Sequence, residues 1–247
     1  MRAAEALSPA ANTGGARLAI SPDGRTIAYL GPGEGGPRIW LRRLDQLSAT
    51  PIAGSEGASS PFFSPDGRRA GFIRNGTTVL IASLDGAPTV TLTDKANSTG
   101  GDWSDDGWIY FEVDSGVARM RPTGGAPELV HRIDLAVNEV GAEWPFALPD
   151  GKGLLVRTRR AGQAAADFDI VAVAGPGAPR HVLTHGIYAR YAAGHLLVVT
   201  AEGKLVAIPL DTGKLELSGA PVALLEGIGV RNGGFNVDLS LSRTGAP

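Results

Sequence analysis

The chain has no cysteine. That excludes disulfides, thiolate nucleophiles and cysteine-based zinc sites, and leaves the compartment open. Neither sign of charge dominates: 23 Lys and Arg stand against 25 Asp and Glu, for a net charge of −2. Such a balance gives no electrostatic reason to bind nucleic acid or an acidic membrane. No apolar run approaches the roughly 18 residues needed to span a bilayer. The opening "MRAAEALSPAANTGG" lacks the apolar core of a signal peptide. The expectation is a soluble chain with no visible export address, no nucleic-acid partner and no direct membrane contact. No long run with a 3.6-residue period is present either, so helices are not expected to organise the fold.

What the chain does have is turns. Its 247 residues include 35 Gly and 17 Pro, which points to many short elements joined tightly. Hydrophobic residues make up 43%, enough to bury a core and to exclude global disorder.

The turns recur. "SPDG" occupies 21–24 and 64–67, "SDDG" 104–107 and "LPDG" 148–151. Degraded copies, "YAAG" and "SRTG", end at Gly194 and Gly245. The six glycines lie 43, 40, 44, 43 and 51 residues apart, a spacing too regular for chance. A second phrase runs out of phase: "DGAP" at 85–88, "GGAP" at 124–127, "PGAP" at 176–179 and "SGAP" at 218–221, with "SATP" at 48–51 in the same place. Between the turns lie strand-length runs rich in Val, Ile, Leu, Phe and Thr, apolar on both parities.

Four strands in about 40–45 residues, repeated, predict an all-β propeller of four-stranded antiparallel blades. One such sheet cannot bury both faces; radial packing buries each against a neighbour. The expected blades span about 16–53, 61–92, 102–131, 144–184 and 188–225, with a partial sixth at 236–247 and a flexible segment at 1–15. That makes five blades and one inner strand, an incomplete ring. An open blade exposes apolar faces and unpaired edges. It is resolved by a longer propeller, by annealing of the last strand onto an existing sheet, or by self-association through the open edge; the first is favoured.

"SPDG" is then punctuation. Pro presets φ, Asp suits the third position, and Gly supplies the left-handed residue that closes a three-residue hairpin. Asp23, Gly24, Asp66, Gly67, Asp106, Gly107, Asp150 and Gly151 are read as turn formers rather than as catalysts or metal ligands.

The repeat resembles the TolB-type propeller unit, carried by "FFSPDGRRAGFI" (62–73), "AISPDGRTIAYL" (19–30) and "IWLRRLD" (39–45). The ordered run of 38–67 with "GGDWSDDGWIYF" (100–111), "EWPFALPDGKGLLVRT" (143–158), "ARYAAGHLLV" (189–198) and "FNVDLSLSRTG" (235–245) is similar to the sensor-like propeller C-terminal to many bacterial serine/threonine kinases. The resemblance implies a sensory or interaction domain, extracytoplasmic or periplasmic if part of a receptor-type kinase and cytoplasmic otherwise. The kinase domain and membrane helix of that family are not in this sequence.

No motif for catalysis survives inspection. "GPGEGG" at 31–36 matches a glycine-rich phosphate loop but joins two strands of one blade, with no suitable Lys following. "HRIDLAVN" at 131–138 is interrupted by Ile133, "DFD" at 167–169 ends in Asp, and "APE" at 126–128 comes in the wrong order. There is no G-x-S-x-G elbow. His131, His181, His185 and His195 read as surface loop residues; no metal, cofactor or catalytic residue is assigned.

Function is expected at the face where loops lead into the inner strands, at about 54–60, 93–102, 131–143, 184–190 and 226–236. The third and fifth are long and polar. Asp102, Glu143, Arg190, Arg231 and Asn236 are the ligand-binding candidates there, against the alternative that they are solvated or pair with one another. Trp103, Trp144 and Tyr191 sit at or near equivalent inner-strand positions and read as interblade packing. The expected partner is a protein or small molecule at the channel. The alternative is a propeller that gates substrate access to a serine peptidase, or one that catalyses with channel residues.

Overall fold

The computed structural model describes residues 15–97, 99–164, 167–231 and 236–242. Nearly all of the predicted 1–15 segment, and the "SRTG" copy beyond Ser242, lie outside the described residues.

Five antiparallel four-stranded blades follow one another in sequence order. Blade 1 is β1 (Leu18–Ile20), β2 (Thr26–Gly31), β3 (Arg38–Arg43) and β4 (Ala49–Pro51). Blade 2 is β5 (Ala58–Phe63), β6 (Arg69–Arg74), β7 (Thr78–Ser83) and β8 (Val90–Thr93). Blade 3 is β9 (Gly101–Trp103), β10 (Ile109–Val113), β11 (Gly116–Met120) and β12 (Glu128–Arg132). Blade 4 is β13 (Glu139–Ala147), β14 (Leu154–Arg160), β15 (Asp169–Val173) and β16 (Arg180–His185). Blade 5 is β17 (Tyr188–Ala192), β18 (His195–Val199) and β19 (Leu205–Asp211), with its outer position split between β20 (Glu216–Leu217) and β21 (Val222–Leu225). A two-stranded piece, β22 (Val230–Arg231) and β23 (Asn236–Val237), follows.

The period of two in each strand explains the radial packing. In β6, Ala70 and Phe72 face blade 1, in one cluster with Ala28, Leu30 and Ile39, whereas Ile73 faces blade 3, with Ile109 and Phe111. Blade 3 turns Tyr110 and Val117 towards Leu154 and Val156 of blade 4. Blade 4 turns Leu155 and Ile170 towards Leu196 and Val198 of blade 5. Both parities are apolar because both faces are covered. Two glycines permit the closest approach. A Cβ on Gly71 would meet the Phe62 ring at 2.2 Å and one on Gly101 would meet it at 2.5 Å, so the ring wedges between two bare backbones. Burying such a ring stabilises by roughly 1.5–3 kcal/mol.

The turns show how the repeated phrase works. Ser21 Oγ donates to Asp23 Oδ1 at 2.6 Å and accepts the Thr26 N–H at 2.9 Å, while Asp23 Oδ1 accepts the Arg25 N–H at 3.0 Å. Ser64, Asp66, Arg68 and Arg69 repeat this set. The Ser64 and Ser21 hydroxyl bonds, followed by the backbone N–H bonds, hold the Asp66 and Asp23 carboxyls below their ordinary value. The loop is not the three-residue hairpin expected. Ser21 N–H bonds to Thr26 O and Ser64 N–H to Arg69 O, leaving four residues between; only "SDDG", closed from Ser104 N–H to Trp108 O, has three. The serine hydroxyl and aspartate carboxylate together take up the extra N–H groups, so the longer loop leaves none orphaned.

Two copies depart further. "LPDG" offers no hydroxyl at Leu148, and Asp150 adopts φ +58°. "YAAG" is a different turn: Ala192 pairs with His195, leaving Ala193 (φ +48°) and Gly194 (φ +80°) as a two-residue hairpin. Two successive left-handed residues are what a type I′ turn demands.

Residues 236–242 run between blade 5 and blade 1. Tyr188 Oη of β17 donates to Leu239 O at 3.2 Å, and Ile20 N–H of β1 donates to Ser240 Oγ at 3.1 Å. The same bond occurs between blades 3 and 4, where Ala147 N–H donates to Asp102 Oδ2 at 2.8 Å. Asp102 stands two residues before Ser104 and Ser240 two before Ser242; Ala147 and Ile20 each stand one residue before a turn. Residues 238–242 therefore hold the sixth inner-strand place by the rule that spaces the others. They do not anneal onto a blade; the backbone ladder of β23 runs with β22 and continues from Asp238 N–H to Gly229 O.

Candidate recognition surface

All five inner strands and residues 240–241 line one central cavity of about 70 Å3. Phe62, Trp144, Phe146 and Tyr188 supply much of its wall. At about 10–15 Å3 per water, that space holds a handful of waters. Small-molecule clefts are on the order of 300–1,000 Å3.

Two of the five predicted residues, Asp102 and Arg190, line this cavity. Asp102 spends one oxygen on the Ala147 amide. The Arg190 guanidinium lies 4.2 Å from the Tyr188 ring centre and 5.0 Å from that of Phe146, and Nη1 donates to Ala189 O at 2.9 Å. Burial pushes the Tyr188 hydroxyl above its ordinary value.

Glu143 stands apart from them, in an ionic cluster on blade 4 that reaches Ile187 at the entry to blade 5 and has Glu112 of blade 3 beside it. It pairs with Arg157 Nη2 and, at 3.1 Å, with Arg159 Nε. Arg157, 2% exposed, also donates from Nη1 to Ile187 O at 2.9 Å. Glu112 lies beside them; its Oε1 accepts the Trp144 N–H at 2.8 Å and its Oε2 the Thr99 N–H at 2.7 Å. Burial, reinforced by the Glu143 charge, pushes the Glu112 carboxyl up to about 8. Burial also raises the Glu143 carboxyl, but Arg157 and Arg159 outweigh it and hold that group below its ordinary value. Trp144 adopts φ +58° just before Pro145, as Ser60 adopts +52° just before Pro61. This region is sterically costly for a bulky side chain; the Glu112 bond to its amide fixes Trp144 there.

Arg231 and Asn236 belong to the seam of the ring rather than to a recognition loop. Arg231 Nε donates to Asp238 Oδ1 at 3.0 Å, Arg17 Nε donates to the same oxygen at 3.1 Å, and Asn236 is buried on β23. The five candidates thus divide among the cavity, the cluster and the seam.

Several loop assignments shift. His131 and Arg132 lie on β12 and 139–143 on β13, so the third loop shrinks to 133–138; the fourth is only 186–187. Glu139 accepts from Asp134 N–H at 2.8 Å and ties down the start of β13, which lengthens that strand. His131 is not a surface loop residue: it is buried, 3.1 Å from Glu139 Oε2, while Arg180 Nη1 holds Glu139 Oε1 at 3.0 Å. His181 and His185 both lie on β16, about 13 Å apart at the ordinary rise of a strand, too far to share an ion. Among the described residues, no group of three or more His, Asp or Glu is placed to hold a metal ion. Trp103 and Trp144 are not equivalent. Trp103 ends its inner strand in the core between blades 2 and 3, whereas Trp144 is placed like Ser60 and packs edge-on to Tyr188 at 5.3 Å.

The buried Glu112, Arg157 and Glu139 and the partly buried Asp238 are absent from the sequence expectations. A signal was present for two of them. "IYFEV" and "LLVRTRR" each set a charge within an apolar strand buried on both faces, and such a charge requires a partner.

No family model matches the chain, and no curated protein matches it. Solved structures do. TolB from Acinetobacter baumannii superposes with a TM-score of 0.61 at 20% identity, over 79% of this chain and 51% of that one. A putative TolB from Agrobacterium tumefaciens gives 0.58 at 21% identity, over 70% and 67%. The β-propeller domain of Cps50 (Swd1) from Myceliophteria thermophila gives 0.61 at 13% identity, over 82% and 70%. The chain spans about half the length of the Acinetobacter protein. At these identities the likeness establishes the fold alone, a β-propeller.

Proposed function

We propose that this propeller is a non-catalytic recognition module that binds a protein partner through the loops of the face where the inner strands begin. The cavity carries this reading. At about 70 Å3, walled by aromatic rings, it leaves no room for a metabolite, so contacts fall to the rim. On that face the segment joining blades 3 and 4 exposes Leu135 by 78%, and the start of β13 exposes Val140 by 48%. The ionic groups beneath it, Glu143 with Arg157 and Glu139 with Arg180, are paired with one another and read as supports for the rim.

The finer assignment, a sensory propeller attached to a bacterial serine/threonine kinase, rests on the ordered run of motifs from 38 to 245. Reading the coding DNA on both sides of this segment tests it. An in-frame kinase domain upstream is the expected result. An α/β-hydrolase domain downstream with a nucleophile elbow would overturn it in favour of a substrate-gating propeller.

A further inference from the structure

A hollow of about 760 Å3 opens on the outer side of the ring between blades 3 and 4. Residues 129–135 form one wall and residues 177–180 the other. Successive side chains of a strand point to opposite faces, so a hollow on one face touches every second residue. This one touches each residue from Leu129 to Arg132 in turn, and so runs along the edge of β12 rather than across a face. One edge of β12 pairs with β11; among the described residues nothing pairs with the other. By contrast, a hollow of about 530 Å3 at the foot of blades 1 and 2 takes only Thr50 from the outer strand β4.

The two walls are fixed to one another by Glu139, which is wholly buried. Its Oε2 lies 3.1 Å from His131 Nε2 and accepts the Asp134 N–H at 2.8 Å, both on the first wall. Its Oε1 accepts from Arg180 Nη1 at 3.0 Å, on the second. A site shaped before its ligand arrives loses less conformational freedom on binding. The edge is also selective. Val130 is the extra residue of a bulge, since Leu129 faces Ala118 and His131 faces Val117. A bulge and a charge both discourage an unmatched strand. The cations of the walls are Arg132, exposed at the end of β12, and Arg180. The anion is Asp134, whose carboxylate is occupied with the Ala136 N–H at 3.0 Å.

We propose that this groove takes an extended segment of a protein partner, which pairs with β12 as a fifth strand of blade 3 and sets an acidic side chain against Arg132. Strand addition draws affinity from main-chain hydrogen bonds and specificity from alternate side chains. The five residues of β12 span about 16 Å at the ordinary rise of a strand, which suits a short segment. Leu129, Ile133 and Leu135 offer apolar contacts beside the charge. Such a contact rests on the reading of the propeller as a protein-binding module; Leu135 belongs to both groove and rim.

Selection of a phage library of linear heptapeptides on the intact chain tests this, with affinities read by fluorescence anisotropy and the site mapped by hydrogen exchange. The expected peptides carry an acidic residue among apolar ones and slow the exchange of amides within 129–132. N-methylation of alternate peptide residues should abolish binding in one register and spare it in the other, as main-chain pairing requires. Ala178→Trp fills the hollow from a half-buried turn position on the far wall. It should weaken the peptides about tenfold or more, with circular dichroism and melting temperature as in wild type. Arg132→Glu, at an exposed position, should weaken them by a similar factor. Peptides that bind both variants as tightly as wild type, or that tolerate N-methylation in both registers, would overturn the proposal. Protection confined to the channel-face loops would overturn the groove and leave the protein-binding reading standing, whereas a library that yields no binder would tell against both.

Discussion

Two junctions of the ring hold their strands by opposite means. Between blades 3 and 4 two complete sheets meet through Tyr110, Val117, Leu154 and Val156, with buried Glu112 of blade 3 accepting the Trp144 amide of blade 4 beside the Glu143–Arg157 pair. Between blades 5 and 1 one strand stands where a sheet stands elsewhere. It is held by Asp238 between two arginines, by one serine and by one tyrosine. The first junction is dry, and its charges are expensive to orphan. The second is half-buried and open to water. The number of bonds differs less than the dielectric in which they sit.

The largest effect should come from breaking the dry junction. Arg157→Ala, beside that junction, removes the main partner of Glu143 and leaves this largely buried carboxylate with Arg159 alone. Loss of one member of a buried pair costs about 3–5 kcal/mol. Chemical denaturation should show that loss, and a cost under about 1 kcal/mol would place the cluster in water. Asp238→Ala attacks the seam and leaves Arg17 and Arg231 without their shared carboxylate, each near enough to the surface to find solvent. Hydrogen bonds to charged groups contribute roughly 1.5–3 kcal/mol, so a loss near the lower end is expected. It should appear as faster amide exchange at Ile20, with the cores of blades 2 to 4 unaffected.

A third experiment sharpens the contrast through pH. Burial raises the Glu112 carboxyl from its ordinary 4.5 to about 8. Between those values the folded chain holds a proton that the unfolded chain has lost. This group's contribution is therefore fully present below 4.5, declines as pH rises, and is gone by about 8. Glu112→Gln should remove that slope, so the melting temperature of the variant relative to wild type should rise from pH 5 to pH 8. A flat difference would mean Glu112 stays ionised against its neighbour. Glu139 and Glu143, held below their ordinary values, act in the opposite sense at lower pH and cancel in this comparison.

The blades were legible in the sequence because turn chemistry is local. A serine, an aspartate and a glycine within four residues bond to one another and need no distant partner. Where the phrase decayed, legibility decayed with it: "YAAG" keeps the glycine but encodes a different turn. The surface was harder to read. Asp102 and Arg190 line the cavity as their strand-start positions suggested, but Glu143, Arg231 and Asn236 do not. Their roles depend on Arg157, Arg159 and Asp238, partners fixed by how blades pack and by how the chain returns to its beginning. Strand periodicity reports which face a residue takes, not which charge waits across the junction.

The bond between Arg17 and Asp238 joins residues 221 positions apart. Each blade, by contrast, is closed by hairpins within its own forty or so residues. Chain entropy makes the difference: a contact that closes so long a loop forms only after the intervening segments have become compact. The blades therefore assemble as a row before they become a circle. The seam is the last join made as the chain folds and the first released as it opens.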